Sequence, residues 1–133
     1  MIKSLKPNLR PIPDFTQEDS LFQQGYSMVA GLDEVGRGTL AGPVVAGLAI
    51  FEYKPYDDWV GMIRDSKQMS PSQREYVIPY LESAALALEI GVSSSIEVDN
   101  LGIVSATRLA MKRAINSLTF LPQYLLLDAF PLP

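Results

Sequence analysis

Short apolar runs, separated by glycine, proline and polar residues, divide the chain into predicted strands. YSMVAGLDEV and GPVVAGLAIF are rich in Val, Leu and Ile and have GRGTLA between them, which predicts two neighbouring strands that are each buried on both faces. ALALEIGVSSS and QYLLLDAF predict two further strands. The pattern therefore predicts a sheet of short, mostly apolar strands.

Polar residues at defined spacings mark where two helices begin. Thr16 and Asp19 have the spacing of a capping box, and Gly25 is placed to end the short helix that follows. The clearest start in the chain is SPSQ at 70–73, in which the serine is the N-cap, the proline is the first helical residue and the glutamine closes a capping box. Pro79 is expected to kink or interrupt this second helix.

A third helix is predicted between Asp99 and Leu118, because apolar positions recur there at three- and four-residue steps over about five turns. These positions are Ile103, Thr107, Ala110, Met111, Ala114 and Leu118. Two strands, a helix, a strand, a helix and a strand then follow one another, which predicts an α/β fold with a mixed β-sheet flanked by helices. Residues 1–133 contain no repeat and are interpreted as one domain, with an irregular arm and a short helix over 1–24.

Composition and charge agree with a folded domain and narrow its class. Hydrophobic residues make up 47% of the chain and charged residues 20%. The longest nearly apolar run, AGPVVAGLAIF, is too short to span a bilayer, and MIKSLKPNLRPIPDF lacks the apolar core of a secretory signal, so a cytoplasmic location without a membrane partner is expected. The net charge of −4 argues against a protein that binds phosphate backbones through a basic surface, but not against one that holds phosphate through metal ions.

The residue types that the chain lacks restrict its chemistry. The sequence has no cysteine and no histidine, which removes thiolate nucleophiles and zinc sites built on sulfur. Any chemistry must depend on carboxylates, lysine, arginine, hydroxyls, backbone groups or a bound metal.

Three carboxylates are placed at the ends of predicted strands. Asp33 and Glu34 lie within or at the end of the first strand, and Asp128 ends the last. Consecutive strand residues point to opposite faces, so at least one of Asp33 and Glu34 is expected to be buried, where a divalent cation would neutralise it. If the first and last strands are neighbours, the carboxylates form an oxygen-only site that suits Mg²⁺ or Mn²⁺. Two such ions about 4 Å apart can hydrolyse a phosphodiester without histidine or cysteine.

A structural interpretation of the same residues stays open. Asp33 and Glu34 can simply mark a strand end, with Arg37 as their salt-bridge partner and the adjacent glycines as turn formers. An acid after a strand, such as Asp128, is most often a turn residue or a helix cap. The glycines on either side of the arginine permit positive φ and a close approach of substrate, although a plain turn between two strands is the more common explanation.

Four segments together closely resemble the bacterial ribonuclease HII family. They are AGLDEVGRGTLAGPVVAG, DSKQMSPSQR, IEVDNLGIVSATRLAMKRAI and YLLLD, in this order and spacing. The resemblance extends from about Gly25 to Asp128. It implies a ribonuclease H-like fold and a metal-dependent endonuclease that cuts the RNA strand of RNA–DNA hybrids, including single ribonucleotides embedded in duplex DNA. A monomer is expected for the full-length family.

The resemblance implies a role for each residue that matches a family motif. The residues that match metal-binding carboxylates, for Mn²⁺ or Mg²⁺, are Asp33, Glu34 and Asp128. The segment that inspects the ribose 2′-hydroxyl, the group that distinguishes RNA from DNA at one nucleotide, is matched by Gly36, Arg37 and Gly38. Lys67, in DSK, resembles a lysine near the substrate backbone, and a solvated loop lysine is an equally good interpretation of it.

The sequence also departs from the family pattern. Thr39 stands where proline is usual, and Ala129 stands where glycine usually follows the aspartate. Family members continue past Pro133 into a segment with a fourth aspartate, a tyrosine that packs against substrate and further basic residues. The chain is therefore expected to be an N-terminal portion whose activity alone is in doubt. The alternative is a non-catalytic module that keeps the fold and binds a hybrid or a protein partner without cutting.

Overall fold

Four strands form one mixed sheet in the computed structural model, which describes residues 13–37, 41–51 and 58–127. β1 (Val29–Val35) lies between β2 (Val44–Phe51) and β4 (Tyr124–Leu127), and β3 (Ala85–Ser93) pairs with the other side of β2. β1 is antiparallel to β2, and β2 to β3, while β4 runs parallel to β1. The predicted mixed sheet is confirmed, and its first and last strands are neighbours.

Helices and two short 3-10 turns connect or precede the strands in the described ranges. The α-helices are α1 (Thr16–Gln23), α2 (Pro71–Ala84), α3 (Ser95–Leu101) and α4 (Ile103–Asn116). The 3-10 turns precede α2 and comprise Asp58–Met62 and Ser66–Gln68. Among the described residues, no helix is long and apolar enough to cross a membrane.

The short helix α1 lies where the sequence predicts it but is capped differently. The expected capping box between Thr16 and Asp19 is wrong, because Thr16 is itself the first helical residue. Its N–H donates to Oδ1 of Asp14 at 3.0 Å. The predicted end is confirmed, since Gly25 follows the helix with a φ of +97°.

The start of α2 is confirmed in detail. Oγ of Ser70 accepts the Gln73 N–H at 3.2 Å, and Oε1 of Gln73 accepts the Ser70 N–H at 2.9 Å, which forms the predicted capping box. The prediction that Pro79 could interrupt the helix is wrong, because α2 continues to Ala84. Pro79 is exposed, so water can reach the carbonyl group that would have bonded the missing N–H.

The third predicted helix is in fact two helices. The periodic interval 99–118 predicts a continuous helix, but Gly102, with a φ of +81°, separates α3 from α4. A positive φ breaks the helical hydrogen-bond ladder, and glycine adopts it at the least cost. The predicted start is also wrong, because α3 begins after Ser94, whose Oγ accepts the Glu97 N–H at 3.2 Å in a second capping box.

Helix α4 covers one face of the sheet. Its predicted apolar face is confirmed, and Ala110, Met111 and Ala114 form the core with buried residues of β1 and β2, namely Ala30, Leu32, Val44, Ala46, Leu48 and Ile50. Two buried polar groups are paired: Oγ of Ser93 donates to the Ala106 carbonyl, and Oγ1 of Thr107 donates to the Ile103 carbonyl at 2.7 Å. The core therefore lies between α4 and the inner strands.

The opposite face of the sheet is exposed, so the prediction that the first two strands are buried on both faces is wrong. Along β1, burial alternates between Leu32, which is 4% exposed, and the exposed Asp33. Along β3, four apolar side chains are 38–66% exposed, namely Leu86, Leu88, Ile90 and Val92. Apolar composition alone did not distinguish a covered face from an uncovered one.

Candidate active site

The two acidic residues of the first motif lie near the end of β1. In the antiparallel ladder with β2, Asp33 pairs with Gly47 and Glu34 pairs with Ala46. Asp33 is on the exposed face, whereas the side chain of Glu34 is only 20% exposed. The prediction that at least one of the two carboxylates is buried is met only in part, because Glu34 is partly buried and Asp33 is exposed.

The two carboxylates interact despite their opposite faces. Burial raises the pKa of the Glu34 carboxyl, and the negative charge of Asp33 and a hydrogen bond between the two carboxyl groups raise it further. Oδ1 of Asp33 also accepts the backbone N–H of Glu34 at 2.8 Å. Because burial and the nearby charge of Asp33 both disfavour the charged form of Glu34, a cation at this strand end would stabilise that carboxylate and relieve the repulsion between the two groups.

The arginine of the same motif offsets this repulsion only in part. Nη1 of Arg37 lies 4.0 Å from Oε1 of Glu34, and its positive charge acts to lower the pKa of that carboxyl. The Arg37 side chain is 37% exposed, and a long ion pair in contact with water is weak. The salt-bridge interpretation of the motif is thus confirmed for Glu34.

Glycine is required at position 36 for two reasons. Gly36 has a φ of +103°, and a Cβ there would lie 2.5 Å from the carbonyl oxygen of Pro43. The turn after β1 therefore brings its backbone close to the start of β2. Gly38, the other predicted glycine of this segment, lies outside the described residues, as does Thr39.

Strand β4 brings the end of the described chain to the same edge of β1. In the parallel ladder Leu32 pairs with Leu127, and these residues precede Asp33 and Asp128 in the sequence. Asp128 itself lies outside the described residues. The condition for the predicted oxygen-only site, that the first and last strands are neighbours, is met.

A glutamine fixes the start of this parallel pair. Oε1 of Gln123 accepts the N–H groups of Ser27 at 2.7 Å and Met28 at 3.2 Å, and the Gln123 N–H donates to the Met28 carbonyl at 2.8 Å. The rings of Tyr26 and Tyr124 also pack edge-to-face, with centroids 5.3 Å apart. These contacts hold β4 in register with β1.

The chemistry of the donor set fits a hard divalent cation. Within the part of the chain that the structure describes, no group of three or more Asp, Glu, His or Cys side chains could hold a metal ion. Asp33 and Glu34 supply adjacent carboxylate oxygens, and the predicted third ligand, Asp128, belongs to the residues that are not described. Oxygen donors without nitrogen or sulfur suit Mg²⁺ or Mn²⁺.

The predicted substrate lysine lies in a separate segment. Lys67 is the central residue of the 3-10 turn Ser66–Gln68 and is exposed. Its N–H donates to Oδ1 of Asp65 at 2.9 Å, which caps the turn. No hydrogen bond or ion pair found among the described residues joins its ammonium group to Asp33 or Glu34.

Two polar residues with structural roles near these segments were not identified from the sequence. Gln123 and Arg74 bind backbone groups through long side chains, the first at the start of β4 and the second in the turn that holds Lys67. Gln123 directly precedes an apolar run, and Arg74 follows a capping box by one residue. Neither position reveals which distant carbonyl or amide the side chain contacts.

Solved structures with this arrangement of strands and helices have a ribonuclease H-like fold. The ribonuclease H2 from Pyrococcus horikoshii OT3 is 31% identical, with a TM-score of 0.60 over 75% of this chain and 49% of its own. Bst-RNase HIII in complex with Mn²⁺ is 17% identical, with a TM-score of 0.56 over 83% of this chain and 39% of its own, and supports the fold alone. The predicted fold class is confirmed.

The sequence comparison identifies the family. The model of the ribonuclease HII family matches residues 30–133. The ribonuclease HII of Dehalococcoides mccartyi (strain ATCC BAA-2266 / KCTC 15142 / 195) is 48% identical over 121 residues, which are 91% of this chain and 57% of that protein. The chain belongs to the ribonuclease HII family. It spans about half the length of the curated relatives that it matches.

Proposed function

We propose that this chain carries the metal site and the ribonucleotide-recognition segment of a metal-dependent endoribonuclease. Its substrates would be the RNA strand of RNA–DNA hybrids and single ribonucleotides embedded in duplex DNA. The observation that carries the proposal is the parallel pairing of Leu32 with Leu127, because the residue that follows each leucine in the sequence is an aspartate. Membership of the ribonuclease HII family supports the same reaction class.

The residues that would hold the metal are Asp33, Glu34 and Asp128. When bound, two Mn²⁺ or Mg²⁺ ions would activate a water molecule and stabilise the leaving oxygen of the phosphodiester. Asp33 is exposed and available to a ligand, whereas Glu34 is partly buried beside it and has a raised pKa. The pair thus combines an accessible oxygen donor with a carboxylate that gains from a neighbouring positive charge.

Recognition of the ribonucleotide is assigned to the segment Gly36, Arg37 and Gly38. The close approach of Gly36 to the Pro43 carbonyl fixes the backbone at the first of these positions. A backbone with no side chain in the way can reach the 2′-hydroxyl, which is the group that distinguishes RNA from DNA. The exposed guanidinium of Arg37 and the exposed ammonium of Lys67 would bind phosphates of the nucleic acid.

The remaining parts of the proposal follow from the substrate. An RNA–DNA hybrid is intracellular, so we place the protein in the cytoplasm. For the chain extended to the length of its relatives we expect a monomer. The net charge of −4 makes the proposed metal ions the main attraction for phosphate near Asp33. Affinity for nucleic acid should accordingly depend on the divalent ion.

Cleavage of three matched duplexes tests this function. The duplexes are all-DNA, DNA with a single ribonucleotide, and an RNA–DNA hybrid, each incubated with Mn²⁺ and the chain extended to the length of its relatives. We expect cleavage of the hybrid and of the single-ribonucleotide duplex, none of the all-DNA duplex, and loss of cleavage in Asp33→Asn. Replacement of Gly38 by valine should lower cleavage at the single ribonucleotide.

The same assay separates the alternative from the proposal. A non-catalytic module would bind the hybrid or a protein partner and leave every duplex intact at any Mn²⁺ concentration. Cleavage of the all-DNA duplex as fast as the others would contradict the proposed recognition of the 2′-hydroxyl. If Gly38→Val cleaved the single-ribonucleotide duplex at the parent rate, the role of residues 36–38 would be wrong.

A further inference from the structure

One arginine joins the start of α2 to the turn that carries Lys67. Nη1 of Arg74 donates to the carbonyl oxygen of Ser66 at 2.9 Å and to that of Met69 at 2.8 Å. These two carbonyl groups lie on either side of Lys67 and Gln68 in the chain. A single guanidinium therefore closes the turn from outside.

The turn needs such a partner because its own hydrogen bonds are few. The Gln68 N–H donates to the Asp65 carbonyl at 2.8 Å, and the Met69 N–H donates to the Ser66 carbonyl at 3.3 Å. A 3-10 turn of three residues is short, and its last carbonyl groups lack partners within the turn. Bonds from a guanidinium are charge-assisted, as is the bond from the Lys67 N–H to the Asp65 carboxylate, so Arg74 adds two strong contacts to this segment.

The first turn of α2, from which the Arg74 side chain reaches the 3-10 turn, is rigid. Arg74 is the fourth residue of α2, whose first turn is fixed by the capping box between Ser70 and Gln73. Its N–H also bonds the Ser70 carbonyl at 3.0 Å. The guanidinium thus ties an exposed turn to a capped helix, in addition to the bonds that the turn makes with Asp65 and between Met69 and Ser66.

We propose that Arg74 is a positioning residue that holds the turn Ser66–Gln68 so that Lys67 presents its ammonium group to a phosphate of the nucleic acid. The inference rests on the proposed function, because it assigns Arg74 a part in substrate binding through Lys67. Arg74 acts through the backbone of the turn, since its two bonds go to carbonyl groups that flank the lysine. Preorganised placement of a long, flexible side chain strengthens binding because less conformational entropy is lost.

Hydrogen exchange of this chain, without nucleic acid, tests the first part of the inference, that Arg74 holds the turn Ser66–Gln68. In Arg74→Met the amides of Gln68 and Met69 should exchange at least several-fold faster than in the parent. Arg74→Lys should restore much of their protection, because an ammonium group can also donate to two carbonyls. Unchanged exchange in Arg74→Met would overturn the inference.

Arg64 provides the matched control. Its Nη1 makes the same kind of contact to the preceding 3-10 turn, with the carbonyls of Gly61 at 2.8 Å and Ile63 at 2.7 Å. Arg64→Met removes an equal charge from a nearby surface and should leave exchange at Gln68 and Met69 unchanged. Equal acceleration in both variants would show a general effect of lost charge and would contradict a specific role for Arg74.

A double-mutant cycle in nucleic-acid binding tests the second part of the inference, that Arg74 strengthens binding through Lys67. The probe is a fluorescent DNA duplex with one ribonucleotide, titrated in Ca²⁺ with the parent, Lys67→Met, Arg74→Met and the double variant. Lys67→Met should weaken binding on the order of three- to tenfold. It should also reduce the slope of the logarithm of the binding constant against the logarithm of the salt concentration by about one. Arg74→Met should weaken binding by no more than that, and the double variant should bind as Lys67→Met does.

The result of the cycle shows whether Arg74 acts through Lys67 or independently of it. Additive losses would show that Arg74 acts independently of Lys67, for example through its own phosphate contact, and would overturn the inference. If Lys67→Met binds as the parent does, the role of Lys67 in the proposed function is wrong and the second part of the inference falls with it. The exchange measurement would then still show, independently, whether Arg74 holds the turn.

Discussion

Leu32 in β1 pairs with Leu127 in β4 in parallel register. An aspartate follows each leucine in the sequence, Asp33 after the first and Asp128 after the second. The carboxyl ends of parallel strands lie at the same edge of a sheet, so acidic residues that follow the two leucines can bind the same metal ion. The register of these two strands is thus the structural basis of the proposed metal site.

Gln123 is predicted to maintain that register. Gln123→Met removes acceptors for the N–H groups of Ser27 and Met28 and should lower the free energy of unfolding by about 1 kcal/mol, as measured in urea. It should also weaken Mn²⁺ binding, because the end of β4 would move more freely. Gln24→Met is the control, since Gln24 bonds only within the end of α1. Equal effects of both substitutions would contradict the role of Gln123.

Gly36 should tolerate no side chain. Gly36→Ala places a Cβ 2.5 Å from the Pro43 carbonyl oxygen at a φ of +103° and should cost about 1–3 kcal/mol in unfolding free energy. Gly31→Ala, in the preceding strand β1, is the control, because a Cβ there meets nothing within 4 Å and the φ is not positive. Urea unfolding curves compare the two. Equal stability of Gly36→Ala and the parent would contradict the observed approach of the two segments.

The ion pair between α3 and α4 predicts an acid-sensitive contribution to stability. Two short hydrogen bonds from Arg113 lower the pKa of the Glu97 carboxyl to about 2, with help from the Ser94 N–H. Because the folded-state pKa is lower than the ordinary value, this contribution is present above about pH 4.5 and is lost as the pH falls towards 2.

Unfolding free energies measured between pH 2 and pH 7 test whether stability falls with the pH as expected. Glu97→Gln should flatten the acid side of the curve, while Glu82→Gln, at an exposed position of α2, should leave its shape unchanged. A parent and a Glu97→Gln variant with parallel pH profiles would contradict the assignment.

The exposed apolar face of β3 should cause self-association. Ile90 is 66% exposed beside Leu86, Leu88 and Val92 on the same strand, and contiguous apolar surface of this kind favours contacts between molecules. Light scattering of the chain should show an apparent mass that rises with concentration, and Ile90→Lys should reduce the rise. The control is Ile96→Lys, at a position in α3 that is 69% exposed. A mass independent of concentration would contradict the prediction.

The sequence predicted those features that depend on neighbours along the chain. The capping box of Ser70 and Gln73 and the apolar face of α4 involve residues three or four positions apart, and both are present. The break at Gly102 was missed because glycine occurs within helices at a modest cost, and the pattern does not show which glycine adopts a positive φ.

The rest of the site depends on contacts between segments far apart in the sequence. Exposure of the sheet face that carries Asp33 was missed because an apolar strand sequence does not indicate whether a second layer covers it. The bonds of Arg74 to the turn and of Gln123 to Met28 depend on the conformations of long side chains. Residue type and spacing thus indicated the carboxylates, whereas their surroundings required the three-dimensional structure.

Calorimetric titration with Mn²⁺ tests the central claim most directly, that Asp33 in β1 and Asp128, which follows the last residue of β4 in the sequence, form one metal site. We expect Asp33→Asn and Asp128→Asn each to weaken Mn²⁺ binding at least about tenfold, the order of loss seen when a metal site is disturbed. The exposed Asp99 in α3 gives the control Asp99→Asn, which should bind as the parent does. Without metal, Asp33→Asn should be as stable as the parent or slightly more stable, because repulsion with Glu34 is relieved. Parental Mn²⁺ affinity in either Asp33→Asn or Asp128→Asn would contradict the account.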